Sequence, residues 1–251
     1  MQPPRSFLDL AAEYGIAFEP GDLDRLGRYL ELLLETNRQF NLTSITAPDE
    51  AWVRHIFDSL TLLPYVHSIV AKEPATESSG CRVIDVGSGG GLPGLPLAIV
   101  QPAAQFTLLE ATGKKARFLE RVREDLQLSN VVVVHDRAET AGQDHKHHRE
   151  KYDLVLSRAV GGLPILLELT VPFAKVGGLM AVIKGARALE EVEQSKRALR
   201  LLHAAVIETK RTPTGTIVAI EKLRRTPRVY PRPAGEPKRR PLVQDVRDSW
   251  R

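Results

Sequence analysis

Val83-Ile84-Asp85-Val86-Gly87-Ser88-Gly89-Gly90-Gly91-Leu92-Pro93-Gly94 is the stretch on which the reading of this chain turns. Its first four residues form a short apolar run interrupted by one acid, the pattern of a buried strand. The glycines that follow let the backbone turn tightly and approach a ligand, and a proline costs little in the first turn of a helix. Strand, glycine turn and helix together make a nucleotide-type loop. Gly89, Gly91 and Gly94 also satisfy G-x-G-x-x-G, so a dinucleotide site must be weighed.

Outward from this loop, aliphatic and β-branched runs alternate with helical segments. Strands are expected at Arg82–Val86, Gln105–Leu109, Asn130–Val134, Tyr152–Leu156, Leu179–Lys184, Ala205–Lys210 and Thr216–Lys222. Helices are expected near Leu95–Val100, Lys114–Leu126, Leu163–Phe173 and Arg187–Leu202, with a shorter one after Ala138. This alternation predicts an α/β fold with a mostly parallel sheet covered on both faces. The last two strands are separated only by Arg211-Thr212-Pro213-Thr214-Gly215 and should form an antiparallel hairpin.

Before the loop lie amphipathic helices: Ser6 to Tyr14, a longer one capped by Asp22, and a third after Pro48 with Trp52, Ile56, Phe57, Leu60 and Leu63 on its apolar side. The expected organisation is an N-terminal helical element over 1–71 packed on the main domain, a polar linker over 72–80, a Rossmann-like domain over 81–228 and a basic, proline-rich segment over 229–251.

Composition narrows the class. Cys81 is the single cysteine, which excludes an internal disulfide or a thiolate zinc site and fits a reducing, cytoplasmic setting. The most apolar run, Leu92 to Val100, is short and broken by Pro93, Gly94 and Pro96, so no membrane span is expected. Net charge is +4, yet Lys222 to Arg251 holds ten Lys or Arg against Glu236, Asp245 and Asp248, leaving the remainder slightly acidic. A basic segment on such a body suits a phosphate backbone, or is a solvated tail; charge alone leaves both open. His145, His147 and His148 lie in a polar tract without a thiol and read as solvated rather than metal-binding. Ser88 is no hydrolase elbow, because Val86 stands where that motif needs glycine.

Two features favour S-adenosylmethionine (SAM) over a dinucleotide. Asp85 to Gly91 reads D-x-G-x-G-x-G, which resembles the cofactor loop of class I SAM-dependent methyltransferases. Asp85 can orient that loop or face a cationic amine. A seven-stranded sheet closing on an antiparallel hairpin also resembles methyltransferases. Glu110, at the end of the second strand, can accept hydrogen bonds from ribose hydroxyls and fits either cofactor.

Seven segments in chain order resemble one family across nearly the whole length: Phe40 to Ile45, His55 to Leu60, Asp85 to Pro96, Gly113 to Leu119, Ser157 to Val160, Lys184-Gly185 and Tyr230 to Leu242. The family is that of glucose-inhibited division protein B, which methylates N7 of guanine 527 in 16S ribosomal RNA. The resemblance implies that Gly87, Gly89, Gly91 and Leu92 hold the methionine part of SAM and Glu110 its ribose. Ala138 and Glu139 resemble the pair bordering the adenine, and Arg158 a cofactor-site residue able to grip RNA phosphate as well. Gly90 and Gly91 depart from the more usual Ala and Pro mix, and Arg232-Pro233-Ala234-Gly235 varies the tail motif.

Guanine N7 carries a free lone pair, so no general base is assigned; Arg158 and Lys184 are positioning candidates. Arg158 could instead pair with a carboxylate such as Glu139, and Lys184 could be a plain surface lysine. His55, Asp58 and Ser59 share one helix face and either line the crevice mouth or pack between helices, with Asn41 bracing that region. Pro231, Pro233, Pro237 and Pro241 predict an extended tail that fans out Arg232, Lys238, Arg239 and Arg240 toward RNA, with Tyr230 free to stack. The alternative is a strap packed back on the domain, and the two are compatible. Expected partners are 16S rRNA or the 30S particle, without membrane or metal, the chain acting as a monomer. Rival readings are a SAM enzyme for another RNA or for protein, and an RNA-binding sensor without turnover.

Overall fold

A computed structural model describes residues 1–71, 80–158 and 161–243 of the chain. Apart from Gly80, the expected linker lies outside these residues, as does the tail beyond 243. The chain divides into two compact units, Met1–His135 and Asp136–Arg251.

The first unit opens with helices α1 (Arg5–Glu13) and α2 (Asp22–Asn37). Gly21, in the left-handed conformation at φ 89°, is the residue that starts α2. Asp22 is therefore not the cap the sequence suggested; it is buried and accepts the Glu19 N–H at 2.9 Å. The helix expected after Pro48 is broken into pieces. A short α3 (Pro48–Ala51) passes into a π-turn over Trp52–Phe57, then α4 (Asp58–Leu60) and α5 (Leu63–Val70). The widened i→i+5 turn, a rare form, seats Trp52 against Phe7 with ring centroids 4.8 Å apart.

Strand β1 (Arg82–Val86) pairs in parallel with β2 (Gln105–Glu110), and β2 with β3 (Val131–His135). Between β1 and β2 runs α6 (Gly94–Val100), all seven of whose residues are buried. Packed against β2, α2 and α4, it has no solvent face, so its run of Leu, Ile and Val is a core helix. Helix α7 (Gly113–Asp125) joins β2 to β3 and buries Ala116, Phe118, Leu119 and Val122 at helical spacing.

The second unit runs α8 (Ala138–Ala141), β4 (Tyr152–Arg158), α9 (Leu163–Thr170), β5 (Ala174–Lys184), α10 (Ala188–Gln194), α11 (Lys196–Leu202), β6 (Ala204–Arg211), β7 (Thr216–Lys222) and α12 (Glu236–Arg239). Strands β4 and β5 are parallel, and β7 is antiparallel to both β5 and β6. The seven strands thus make the mostly parallel sheet with a terminal antiparallel hairpin that the sequence predicts. The helix expected over Arg187–Leu202 is split because the Ser195 hydroxyl donates to the Glu191 carbonyl at 2.6 Å, a back-bond that bends the backbone. The tail is not wholly extended: Pro237 sits in the first turn of α12, where its missing N–H costs no helical bond.

Candidate functional site

The glycine loop is held from three sides within the first unit. Asp85, fully buried, accepts the Gly94 N–H at 3.0 Å through Oδ2, while Ser88 Oγ donates to the Asp85 carbonyl at 2.9 Å. The bond from Gly94 ties Asp85 to the start of α6. The N–H groups of Gly87 and Ser88 both donate to the Leu109 carbonyl, at 2.9 and 3.1 Å, tying the loop's first turn to β2. Gly87, Gly89 and Gly91 adopt φ of 76°, 58° and 92°, a region side chains disfavour.

Glu110 completes this frame. Its Oε2 accepts the Gly89 N–H at 2.9 Å and its Oε1 the Thr112 N–H at 2.7 Å, with the residue only 7% exposed. Each oxygen keeps a second lone pair for a ribose hydroxyl. A methyl group placed on Gly89 would meet nothing nearer than the Gly87 carbonyl at 3.8 Å, so open space lies in front of this backbone. At Gly91 the same methyl would strike Leu95 at 2.2 Å, so Gly91 is needed for packing as well as for conformation. An open backbone face beside an accepting carboxylate suits an adenosyl ligand.

A brace that the sequence reading missed comes from the N-terminal helices. Tyr29 on α2 donates its hydroxyl to the Gly90 carbonyl at 2.7 Å, and Leu33 packs where a Cβ on Gly90 would sit. Asn37 Oδ1 accepts the N–H groups of Leu42 and Thr43 at 2.7 and 2.9 Å, fixing the loop that follows α2. His55 Nε2 meets Thr43 Oγ1 at 2.8 Å, and Ser59 donates to the His55 carbonyl at 2.6 Å. His55, Asp58 and Ser59 are all buried, so of the two readings left open this is the packing one; Asn41 stays exposed.

In the second unit, Ala138 opens α8 and Glu139 accepts the Gly235 N–H at 2.9 Å. Glu139 is engaged by the strap backbone rather than by Arg158, which ends β4 half-buried. Lys184 is no surface lysine. It donates to the Gly161 carbonyl at 2.7 Å and pairs with Glu191 at 2.8 Å, while Glu191 also accepts the Leu163 N–H. Lys184 thereby positions the backbone that leads into α9.

The tail is a strap packed on its own unit. Arg232 is turned inward rather than fanned out: its Nε and Nη2 bind buried Glu168 at 2.8 and 2.6 Å, and Nη2 also reaches the Arg240 carbonyl. Donating to the Glu168 carboxylate pushes the Arg232 pKa up. Lys238, Arg239 and Arg240 remain exposed, Arg239 touching Glu236 at 2.7 Å. The anchor is Arg149, 2% exposed, whose two terminal nitrogens donate to the carbonyls of Gly142, Tyr230, Thr226 and Pro227. No motif flagged Arg149, since its partners lie up to 81 residues away. Among the described residues, no group of His, Cys, Asp or Glu is placed to hold a metal ion, and no helix is long and apolar enough to cross a membrane.

A glycine loop after β1, a carboxylate closing β2 and a seven-stranded sheet ending in an antiparallel hairpin define a SAM-dependent methyltransferase of the Rossmann-like class. The crystal structure of a mutant of MtNAS in complex with S-adenosylmethionine shares this fold with a TM-score of 0.53, at 14% identity over 88% of this chain and 76% of that one. The family described as "GidB: rRNA small subunit methyltransferase G" matches residues 22–217. Ribosomal RNA small subunit methyltransferase G of Sorangium cellulosum is 44% identical over 231 residues, 92% of each chain. Its namesake in Leuconostoc citreum is 37% identical over 95% of this chain and 98% of that protein. The chain belongs to the ribosomal RNA small subunit methyltransferase G family.

Proposed function

We propose that this chain transfers a methyl group from SAM to N7 of guanine 527 in 16S rRNA, acting as a cytoplasmic monomer on the free RNA or the 30S particle. The observation that carries the reading is the locked pair of Glu110 and Gly89, which leaves an accepting carboxylate beside open backbone. When bound, SAM supplies an electrophilic methyl on a sulfonium leaving group. The N7 lone pair is free at neutral pH, so no side chain must remove a proton before transfer. The protein's contribution is alignment and exclusion of water.

In this reading Gly87, Gly89, Gly91 and Leu92 receive the methionine part, Glu110 the ribose, and Ala138 and Glu139 border the adenine. Asp85 acts through the loop it orients. Arg158 and Lys184 serve positioning, and Lys238, Arg239 and Arg240 meet RNA from the strap; Arg232, held by Glu168, anchors that strap instead. The helical element over 1–71 braces the cofactor loop through Tyr29. Labelled-methyl transfer to 16S rRNA and to assembled 30S particles, followed by nucleoside analysis, tests the reading. Recovery of 7-methylguanosine at the single expected position supports it; methylation only of another RNA or of protein removes it.

A further inference from the structure

Among the cations of the first unit, two groups stand apart. Arg5, Arg25, Arg28, Arg121 and Arg123 each have a carboxylate partner: Asp9, Asp22, Asp125, Glu35 and Glu120 respectively. Arg38, Lys114, Lys115 and Arg117 have no ion-pair partner among the described residues. Three of the four gather at the start of α7. Lys114, Lys115 and Arg117 occupy the first two turns of α7, and Arg38 lies two residues before Phe40. Lys114 Nζ stands 5.0 Å from the centre of the Phe40 ring, which joins the loop after α2 to the start of α7.

This cluster adjoins the cofactor loop. Gly113, which opens α7, follows Thr112, whose N–H is bound to Glu110. Arg117 Nη1 lies 3.6 Å from the place a Cβ on Gly113 would take, and the His135 ring lies 3.2 Å from it. Two cations here, Lys114 and Lys115, also run against the helix. The first turn of α7 carries positive partial charge, which favours acidic side chains, and it holds none. Helix stability therefore does not account for Lys114 and Lys115.

We propose that Lys114, Lys115 and Arg117, with the ring of Phe40, form a contact surface for the backbone of the methyl-accepting RNA. The cations take phosphates, and the half-exposed ring takes the face of an unpaired base. Lys114, which stands over the ring, is placed to take a phosphate next to a base stacked there. The inference rests on the proposed RNA methylation and adds the part of the first unit that grips the substrate.

The test uses the full chain with 16S rRNA. The triple variant Lys114→Gln, Lys115→Gln, Arg117→Gln should raise the RNA dissociation constant more than tenfold and flatten its dependence on salt. The slope should fall by about 0.7 for each phosphate that is no longer neutralised. Phe40→Leu keeps an apolar side chain without the ring and should weaken binding several-fold with the salt slope unchanged. SAM affinity by calorimetry should hold in both. Unaltered RNA affinity and salt slope in the triple variant overturn the inference, as does a loss confined to SAM affinity, which would make the cluster part of the cofactor site. A triple variant that fails to fold is replaced by single Lys115→Gln and Arg117→Gln changes, each expected to lower the slope by about 0.7. Failure of the unmodified chain to methylate any RNA refutes the proposed function, while the binding arm still reads the cluster.

Discussion

Gly89 donates its backbone N–H to Oε2 of Glu110 at 2.9 Å, so the residue placed to take the ribose also holds the loop beside the ligand. The two duties are coupled. Glu110→Gln retains only one accepting oxygen, so an amide –NH2 must face either the Gly89 or the Thr112 N–H. Losing a charge-assisted bond of this kind costs about 1.5–3 kcal/mol. Urea unfolding should show a loss in that range, and calorimetry a SAM affinity reduced by more than tenfold. Full SAM affinity in a destabilised Glu110→Gln protein would reduce Glu110 to a loop brace.

The glycines of the loop separate packing from ligand access. At Gly94 a methyl would lie 2.4 Å from Leu108 and 2.9 Å from the Asp85 carboxylate, both in the core. Overpacking of this kind costs about 1–3 kcal/mol, and Gly94→Ala should lose stability accordingly. At Gly89 the added methyl points into open space, and the left-handed backbone costs an L-residue about 1–2 kcal/mol. Gly89→Ala should therefore fold, yet bind SAM more weakly by at least one decade, about 1.4 kcal/mol. Equal SAM affinity in Gly89→Ala and the unmodified chain would mean that the open face is not where the ligand lies.

What the sequence made legible is local. The run from Val83 to Gly94 shows strand, turn and helix within twelve residues, and Glu110 stands at the end of the next apolar run. The hairpin over Ala204–Lys222 declares itself by two β-branched runs and a short polar link. Relationships over long separations left no such trace. Tyr29 reaches Gly90 across 61 residues, and Arg232 reaches Glu168 across 64; neither pair has a spacing that local periodicity can show. The π-turn over Trp52–Phe57 was hidden for another reason: its residues fit an α-helical face as well, and its contacts, such as Trp52 on Phe7, are with residues distant in sequence.

The histidine tract yields a pH prediction. Asp144 accepts from the His147 ring at 2.8 Å and from the N–H groups of His147 and Lys146, and these bonds hold its pKa at about 2 against the ordinary 3.8. A carboxylate whose folded pKa is depressed stabilises its turn above the unfolded pKa and loses that effect as pH falls toward the folded one. The turn over Asp144–Arg149 should thus persist at pH 4 and come apart only between the two values. Carbon-detected titration of the Asp144 carboxyl should give a midpoint of about 2, and His147→Ala should move it upward. A midpoint at the ordinary value would show that the ring does not hold the carboxylate in solution.

Arg149 governs the strap. Its guanidinium is buried and donates to four carbonyls, one in the strap at Tyr230 and two just before it at Thr226 and Pro227. Burial lowers its pKa, but four acceptors around one fork keep the charged form in place. Arg149→Met fills a similar volume and leaves the Gly142, Thr226 and Tyr230 carbonyls without that donor, while Pro227 keeps the Tyr230 N–H. Each unsatisfied buried acceptor costs about 1–3 kcal/mol, so the strap should detach before the sheet unfolds. Trypsin would then cut at Arg224, Arg225 or Arg228 under conditions that leave the unmodified chain whole. Because Arg232 is tied to Glu168 within the same unit, Glu168→Gln should produce the same cleavage more weakly. Because the strap's Gly235 holds Glu139, which borders the adenine in the proposed site, both variants should also weaken SAM binding in calorimetry. An Arg149→Met protein as resistant to trypsin as the parent would show that the strap is held by its prolines and α12 instead.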